Sequence, residues 1–312
     1  RSFPSKSTEF CLKQGKISID EIDAVAIPWN PGIHMKKFNP VLSSRRRWRG
    51  EFLYSIPDNI FRLFSEKQIG TLSQAFIVNG KKVDFYYIDH HLCHAANAFY
   101  LSPFKRAAIL TVDGRGEEKT CLFAVADENG IRELDSILVP HSLGSFYSTY
   151  TDFLGFKPES DEWKVMALSA YKIHDEKTYQ FIRNSVNLLN DGKFELDISL
   201  YSEIIHEQEN YYTDKLVNTF GKPRKKNDEI AKRDIYIACA MQKVFEETMT
   251  HMLSHIHKIS GMEDIALSGW CLMNSVFNGK ICRLSPFKNA FISSCPDDSG
   301  ESIGAALYLH HE

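Results

Sequence analysis

Residues 86–117 read Tyr86-Tyr87-Ile88-Asp89-His90-His91-Leu92-Cys93-His94-Ala95-Ala96-Asn97-Ala98-Phe99-Tyr100, then L-S-P-F-K-R-A-A-I-L-T-V up to Asp113-Gly114-Arg115-Gly116-Glu117. The largely apolar run Val83 to Ile88 predicts a buried strand that ends in ligand-type side chains. Ala95 to Phe99 predicts the start of a helix. His90 and His94 are four apart, so on a helical turn they share one face. That spacing suits two imidazoles on one divalent ion. A second apolar run, Ala107 to Val112, leads into Asp113 and the glycines that follow it. An acidic residue at a strand's end is well placed to complete such a site. Two histidines and a carboxylate suit iron, manganese or zinc, with positions left open.

His251 and His255 repeat the spacing, on a long predicted helix with no strand before them. Their nearest acids, Glu246 and Glu247, lie on that same helix, so the pair is read as a solvated or half-buried face. Histidine spacing alone misleads often. The order strand, His-x-x-x-His, strand, Asp, glycines sets the first pair apart.

Working outward, 312 residues suffice for one large domain or two lobes. Apolar and charged fractions of 43% and 25% are those of a globular protein. A net charge of -3 gives no bulk electrostatic case for nucleic acid or an anionic membrane. No stretch approaches a transmembrane span, and no signal peptide is visible. Seven cysteines without Cys-x-x-Cys spacing favour reduced thiols and a cytoplasmic setting. The first residue is Arg1 rather than methionine, so residues are expected upstream.

Further helices are predicted over Thr8–Gly15, Ser145–Phe156 and Glu229–Ile259, and a strand over Ala24–Ile27. On the longest, Ile235, Ala238, Met241, Val244, Phe245 and Met249 form a core-facing stripe. Residues 28–60 read as irregular; their basic cluster, Arg45-Arg46-Arg47-Trp48-Arg49, is read as a solvated face rather than a phosphate contact. Thr120–Val125 and Ile131–Val139 pair around Asp127-Glu128-Asn129-Gly130, where Asn-Gly favours a hairpin. Residues 158–172 read as an acidic loop entering a helix, and 174–225 as an insertion. Ile265–Leu267 and Ala290–Ser293 are short strands, each followed by a turn and a helix. Asp298, at the last helix start, suits a cap worth about 1 kcal/mol. The alternation implies an α/β fold with functional loops at strand ends.

D-H-H-L-C-H-A-A-N-A-F (89–99) resembles the D-H-H-x-x-H-A-x-S-A-F motif of the nodulation protein U / cephem carbamoyltransferase family, and I-L-T-V-D-G-R-G-E (109–117) its D-G-x-G-E segment. P-H-S-L-G-S-F-Y-S, F-G-K-P-R, M-N-S-V-F-N-G-K and D-S-G-x-x-x-G-A-A then fall in family order, so the resemblance covers essentially the whole chain. It implies the two-lobed actin, sugar-kinase and heat-shock ATPase (ribonuclease H-like) fold around a nucleotide cleft, with the first strands missing. Lobe one is expected over about 1–140 plus the C-terminal helix, and lobe two over about 141–290. Related proteins include the metal-bearing subunits that make threonylcarbamoyl-adenosine in tRNA.

The chemistry implied is O-carbamoyl transfer. A separate C-terminal YrdC-like domain, absent from this chain, makes carbamoyl-adenylate from carbamoyl phosphate and ATP. The domain present here holds the adenylate over a metal and passes the carbamoyl group to a small-molecule hydroxyl, on a sugar, a nodulation-factor-like molecule or an antibiotic. Carried over residue by residue, His90, His94, Asp113 and Asp298 are the metal ligands, with iron the first expectation and manganese or zinc the others. His90, His94 and Lys164 are the catalytic candidates; Gly114, Gly116, Glu117, Gly269 and Asn274 are expected at the nucleotide. Asp89 or a backbone carbonyl is expected to orient an imidazole from behind. No nucleic-acid or membrane partner is implied, and a homodimer is one option. The chain carries no G-x-x-x-x-G-K-[ST] loop, so it is not expected to make the adenylate by itself.

This chain departs from the family pattern at named places. Trp270 stands at the second glycine of the G-G-x-x-L-N turn and Met273 at its leucine. Asp161, Ala167 and Lys172 replace glycines of G-E-Y-K-x-M-G-L-A-x-Y-G, while Glu162, Lys164 and Met166 persist. The alternative reading is a divergent, non-catalytic metal- or nucleotide-binding module of the same fold.

Overall fold

The structure, a computed structural model, describes residues 4–30, 71–78, 80–202 and 210–311. The basic cluster at 45–49 and most of the segment read as irregular lie outside the described residues. The elements run α1 (Ser5–Gly15), β1 (Ala24–Ile27), β2 (Thr71–Val78), β3 (Lys81–Ile88), α2 (His90–Tyr100), β4 (Ala107–Val112), β5 (Lys119–Asp127) and β6 (Gly130–Leu138). Then come α3 (Leu143–Phe153), α4 (Glu162–Ser169), α5 (Glu176–Asn184), β7 (Val186–Leu188), β8 (Phe194–Leu196), α6 (Asp214–Phe220) and α7 (Lys232–Ser260). The chain closes with β9 (Asp264–Ser268), α8 (Ser275–Asn278), α9 (Ile281–Leu284), β10 (Asn289–Ile292) and α10 (Glu301–His311).

β3 pairs in parallel with β1 and antiparallel with β2. A second sheet has the order β10-β9-β4-β5-β6: β4, β5 and β6 form an antiparallel meander, and β9 and β10 extend it in parallel. Every residue of β4 is buried, because both faces of its sheet are covered. Ala108, Leu110 and Val112 pack into the core under α3 and α7; Ala107 and Ile109 pack into the core under α2 and α10. The result is a mixed α/β layer structure.

The expected boundary near residue 140 is not a sheet boundary. β5 pairs with β4 and β6, and β4 pairs with β9, so the change of sheet falls between β3 and β4. Hairpin pairing of β5 with β6 and parallel pairing of β4 with β9 hold these distant segments together. α2 begins five residues earlier than expected, because the Asp89 carboxylate accepts the Leu92 N–H at 3.0 Å and caps it there. The stretch read as an insertion contributes Ile182, Val186, Phe194, Leu196, Leu200 and Tyr201 to the larger core. On α7 the stripe holds except at Ile235, which is half-buried; Ile237 takes the buried place. Among the described residues, no helix is long and apolar enough to cross a membrane.

Candidate metal centre

Three segments supply the centre: α2, the loop after β4 and the turn ahead of α10. α2 carries His90 and His94 on one face of its first two turns, both buried. Asp113 follows β4; its N–H donates to Thr120 O at 2.9 Å and Gly116 N–H to Lys119 O at 2.8 Å, so the loop folds back over α2. At Gly116 a Cβ would stand 2.9 Å from His90 Cβ, so glycine lets that loop lie against the histidine. Asp298 sits in a 3-10 turn, Asp298–Gly300, ahead of α10. A Cβ at Gly304 would collide with the Cys93 carbonyl, so α10 crosses α2 nearly backbone to backbone.

The structure brings together the four residues expected as ligands. One donor atom from each of His90, His94, Asp113 and Asp298 lies within 4.8 Å of the others. His90 Nε2 is 3.0 Å from Asp113 Oδ2 and 4.0 Å from Asp298 Oδ1. His94 Nε2 is 3.9 Å and 3.8 Å from the same two oxygens. The donor chemistry fits a divalent ion. His94 Nε2 is also buried with no hydrogen-bond partner among the described residues, an arrangement costly for a ring nitrogen unless a ligand meets it. Asp298 is the open side, its side chain 71% exposed.

Electrostatics in this pocket are strong. Burial alone would lower the His90 pKa, but Asp113 and Glu301 hold it well above the ordinary imidazole value. Burial, with the neighbouring His90, pushes His94 down to about 3. Burial would raise Asp113, but the His90 hydrogen bond and the adjacent imidazoles hold it well below the usual carboxylate range. His91 is a satisfied core histidine: Nε2 donates to Lys119 O at 3.0 Å, Nδ1 meets Thr111 Oγ1 at 2.6 Å, and burial keeps it neutral.

The remaining candidates divide. Glu117, expected at the nucleotide, is buried and instead accepts the backbone N–H groups of Asn30 and His90, so it ties down the start of α2. Burial, with Asp89 nearby, pushes its pKa to about 8. Gly114 packs beneath Gly144, where a Cβ would come 2.6 Å from Gly114 Cα. Gly269 has φ +100°, and a Cβ there would strike the Val112 carbonyl. Asn274 caps α8 by accepting the Phe277 N–H at 3.0 Å and shares reciprocal amide bonds with Gln242. Lys164 does not join the histidines: it pairs with Asp161 at 2.9 Å beside the rings of Phe156 and Trp163. Asp89 is spent on its cap and an ion pair with Lys119 at 3.4 Å, so it does not orient an imidazole.

Two residues were not singled out by sequence. Glu301 Oε1 lies 2.6 Å from His90 Nδ1, and Ser268 Oγ 3.3 Å from His94 Nδ1. The only sequence signal is that Glu301 lies one helical turn after Asp298 and Ser268 directly before Gly269. Among the described residues the pair on α7 gathers no such set. His251 meets the Leu189 carbonyl at 2.8 Å, His255 packs edge-on against Phe123, and Glu247 binds Tyr179 and Arg183.

Beside the centre is a cavity of about 140 Å³ whose lining includes Tyr147, Glu162, Trp163, Trp270, Met273 and Asn274. It adjoins the four-residue cluster directly, since the Trp270 N–H donates to Asp113 Oδ1 at 2.9 Å.

With this geometry in view, the chain matches the family model described as carbamoyltransferase N-terminus over residues 1–307, and it belongs to that family. It is 30% identical to the uncharacterized protein sll1178 of Synechocystis sp., over all of this chain and 51% of that protein. It is 27% identical to nodulation protein NolNO of Sinorhizobium fredii, over 99% of this chain and 42% of that protein. The chain thus spans about half the length of these relatives. Among solved structures, full-length HypF in a phosphate- and nucleotide-bound form is similar at TM-score 0.39 and 14% identity, over 85% of this chain and 45% of that one.

Proposed function

We propose that this chain is the transfer domain of an O-carbamoyltransferase, which takes a carbamoyl group from carbamoyl-adenylate to a hydroxyl of a small molecule such as a sugar. The observation that carries the reading is the position of Asp113. One of its oxygens faces His90, and the other accepts the N–H of Trp270, which lines the cavity. An adenylate whose base and ribose occupied that cavity would lay its carbamoyl–phosphate end toward the four ligands. The acceptor oxygen then bonds to the carbamoyl carbon as the carbon–oxygen bond to the phosphate breaks, releasing AMP and the hydroxyl proton. His90, His94, Asp113 and Asp298 would hold a divalent ion, iron first among candidates, which would supply Lewis acidity when bound. The sheet order β6-β5-β4-β9-β10, three antiparallel strands then two parallel ones, supports the ribonuclease H-like fold of the actin and sugar-kinase group.

Trp270 favours a second reading. This residue lines the cavity where the family pattern has a glycine, which suits a module that binds but does not turn over. One assay separates the two. The chain is supplied with ATP, carbamoyl phosphate, an adenylate-forming domain in trans and a sugar acceptor. Transfer is expected with the native chain and lost in His90→Ala, while ATP–pyrophosphate exchange by the added domain continues. No product with native, metal-loaded chain would leave the binding module.

A further inference from the structure

We infer that Glu301 and Ser268 are positioning residues that fix which nitrogen each histidine turns toward the ion. The inference rests on reading the cluster as a metal centre. The Ser268 hydroxyl donates to Pro296 O at 3.0 Å, so its oxygen is left to accept from His94 Nδ1 at 3.3 Å. His94 therefore carries its proton on Nδ1, and the lone pair on Nε2 points between Asp113 and Asp298. Glu301 does the same for His90. Its Oε1 lies 2.6 Å from Nδ1 as a close charge contact, without the alignment of a hydrogen bond, and an oxygen that close favours a proton on that nitrogen, so Nε2, which faces Asp113 at 3.0 Å, is the nitrogen an ion would take.

The two supports differ in charge, and so does their effect. A carboxyl group and a hydroxyl tune an imidazole to different degrees, so the two histidines are not equivalent ligands. Glu301 reaches His90 because it is the first residue of α10, and Gly304 lets that helix approach α2. Glu301 is itself 3.7 Å from His94 Nε2, close enough that direct ligation is the rival arrangement.

Cobalt(II) is the probe, titrated into metal-free chain and read by visible absorption and chelator competition. Glu301→Leu should bind it about 10–100-fold more weakly. Glu301→Gln, whose amide oxygen can still face Nδ1, should lose less and keep the native spectrum. Ser268→Ala should weaken binding about 10-fold. In the metal-free chain, imidazole ¹⁵N shifts should report the Nδ1–H form of His94, and Ser268→Ala should mix the two tautomers. Native affinity in Glu301→Leu, or equal loss and an altered spectrum in both Glu301 variants, overturns the positioning role of Glu301. If the leucine variant does not fold, an unmixed His94 tautomer and native affinity in Ser268→Ala overturn the inference instead. No cobalt binding by native chain would sink the metal centre itself, whereas native binding with unaffected variants sinks only the positioning roles.

Discussion

The backbone N–H of Trp270 donates to Asp113 Oδ1 at 2.9 Å, while Asp113 Oδ2 stands 3.0 Å from His90 Nε2. One carboxylate thus joins the turn that borders the cavity to the ligand cluster. Asp113→Asn keeps an oxygen for Trp270 but removes the anion. Metal affinity should fall more than about 100-fold, beyond what supporting residues alone contribute. Chelator competition measures it, and unchanged affinity would remove Asp113 from the ligand set.

Gly116 and Gly114 make a paired test of packing. A Cβ at Gly116 would meet His90 Cβ at 2.9 Å, while one at Gly114 meets nothing within 4 Å. Gly116→Ala should cost about 1–3 kcal/mol by overpacking, and Gly114→Ala should stay within about 0.5 kcal/mol. Denaturant midpoints compare them. Equal costs would show that the loop does not bear on His90.

His141 should make stability depend on pH. The Leu196 N–H donates to His141 Nδ1 at 3.0 Å, which requires the neutral ring, and burial depresses its pKa below the ordinary value. A depressed folded-state pKa contributes stability above the unfolded value, about 6.5, and that contribution is lost as pH falls below it. Between pH 8 and pH 5.5 the native chain should therefore lose more stability than His141→Gln. Parallel urea midpoints for the two proteins would refute this.

The second histidine pair should be inert toward metal. His251→Ala/His255→Ala should keep native metal content by elemental analysis. It should lose about 0.5–1.5 kcal/mol of stability with the bond to Leu189 O. A clear loss of metal would move the centre to α7.

Sequence alone determined the elements that depend on local pattern. The apolar runs that became β3 and β4, the hairpin at Asn129-Gly130 and the four-residue spacing of His90 and His94 follow from strand and helix periodicity. The convergence of His90, His94, Asp113 and Asp298 was legible because their motifs resemble a family's and because they follow predicted strands. Tertiary structure alone decided the rest. The sheet changes between β3 and β4 because β4 pairs with β9, a long-range choice no local window contains. Ser268 is 174 residues from His94 in sequence, and Glu301 is one acid among 40, so neither stands out until α10 packs on α2. Glu117 and Lys164 carried the right chemistry for a site. Packing took one to the N-terminus of α2 and left the other paired with Asp161, because a buried backbone N–H and an adjacent carboxylate were the nearer partners.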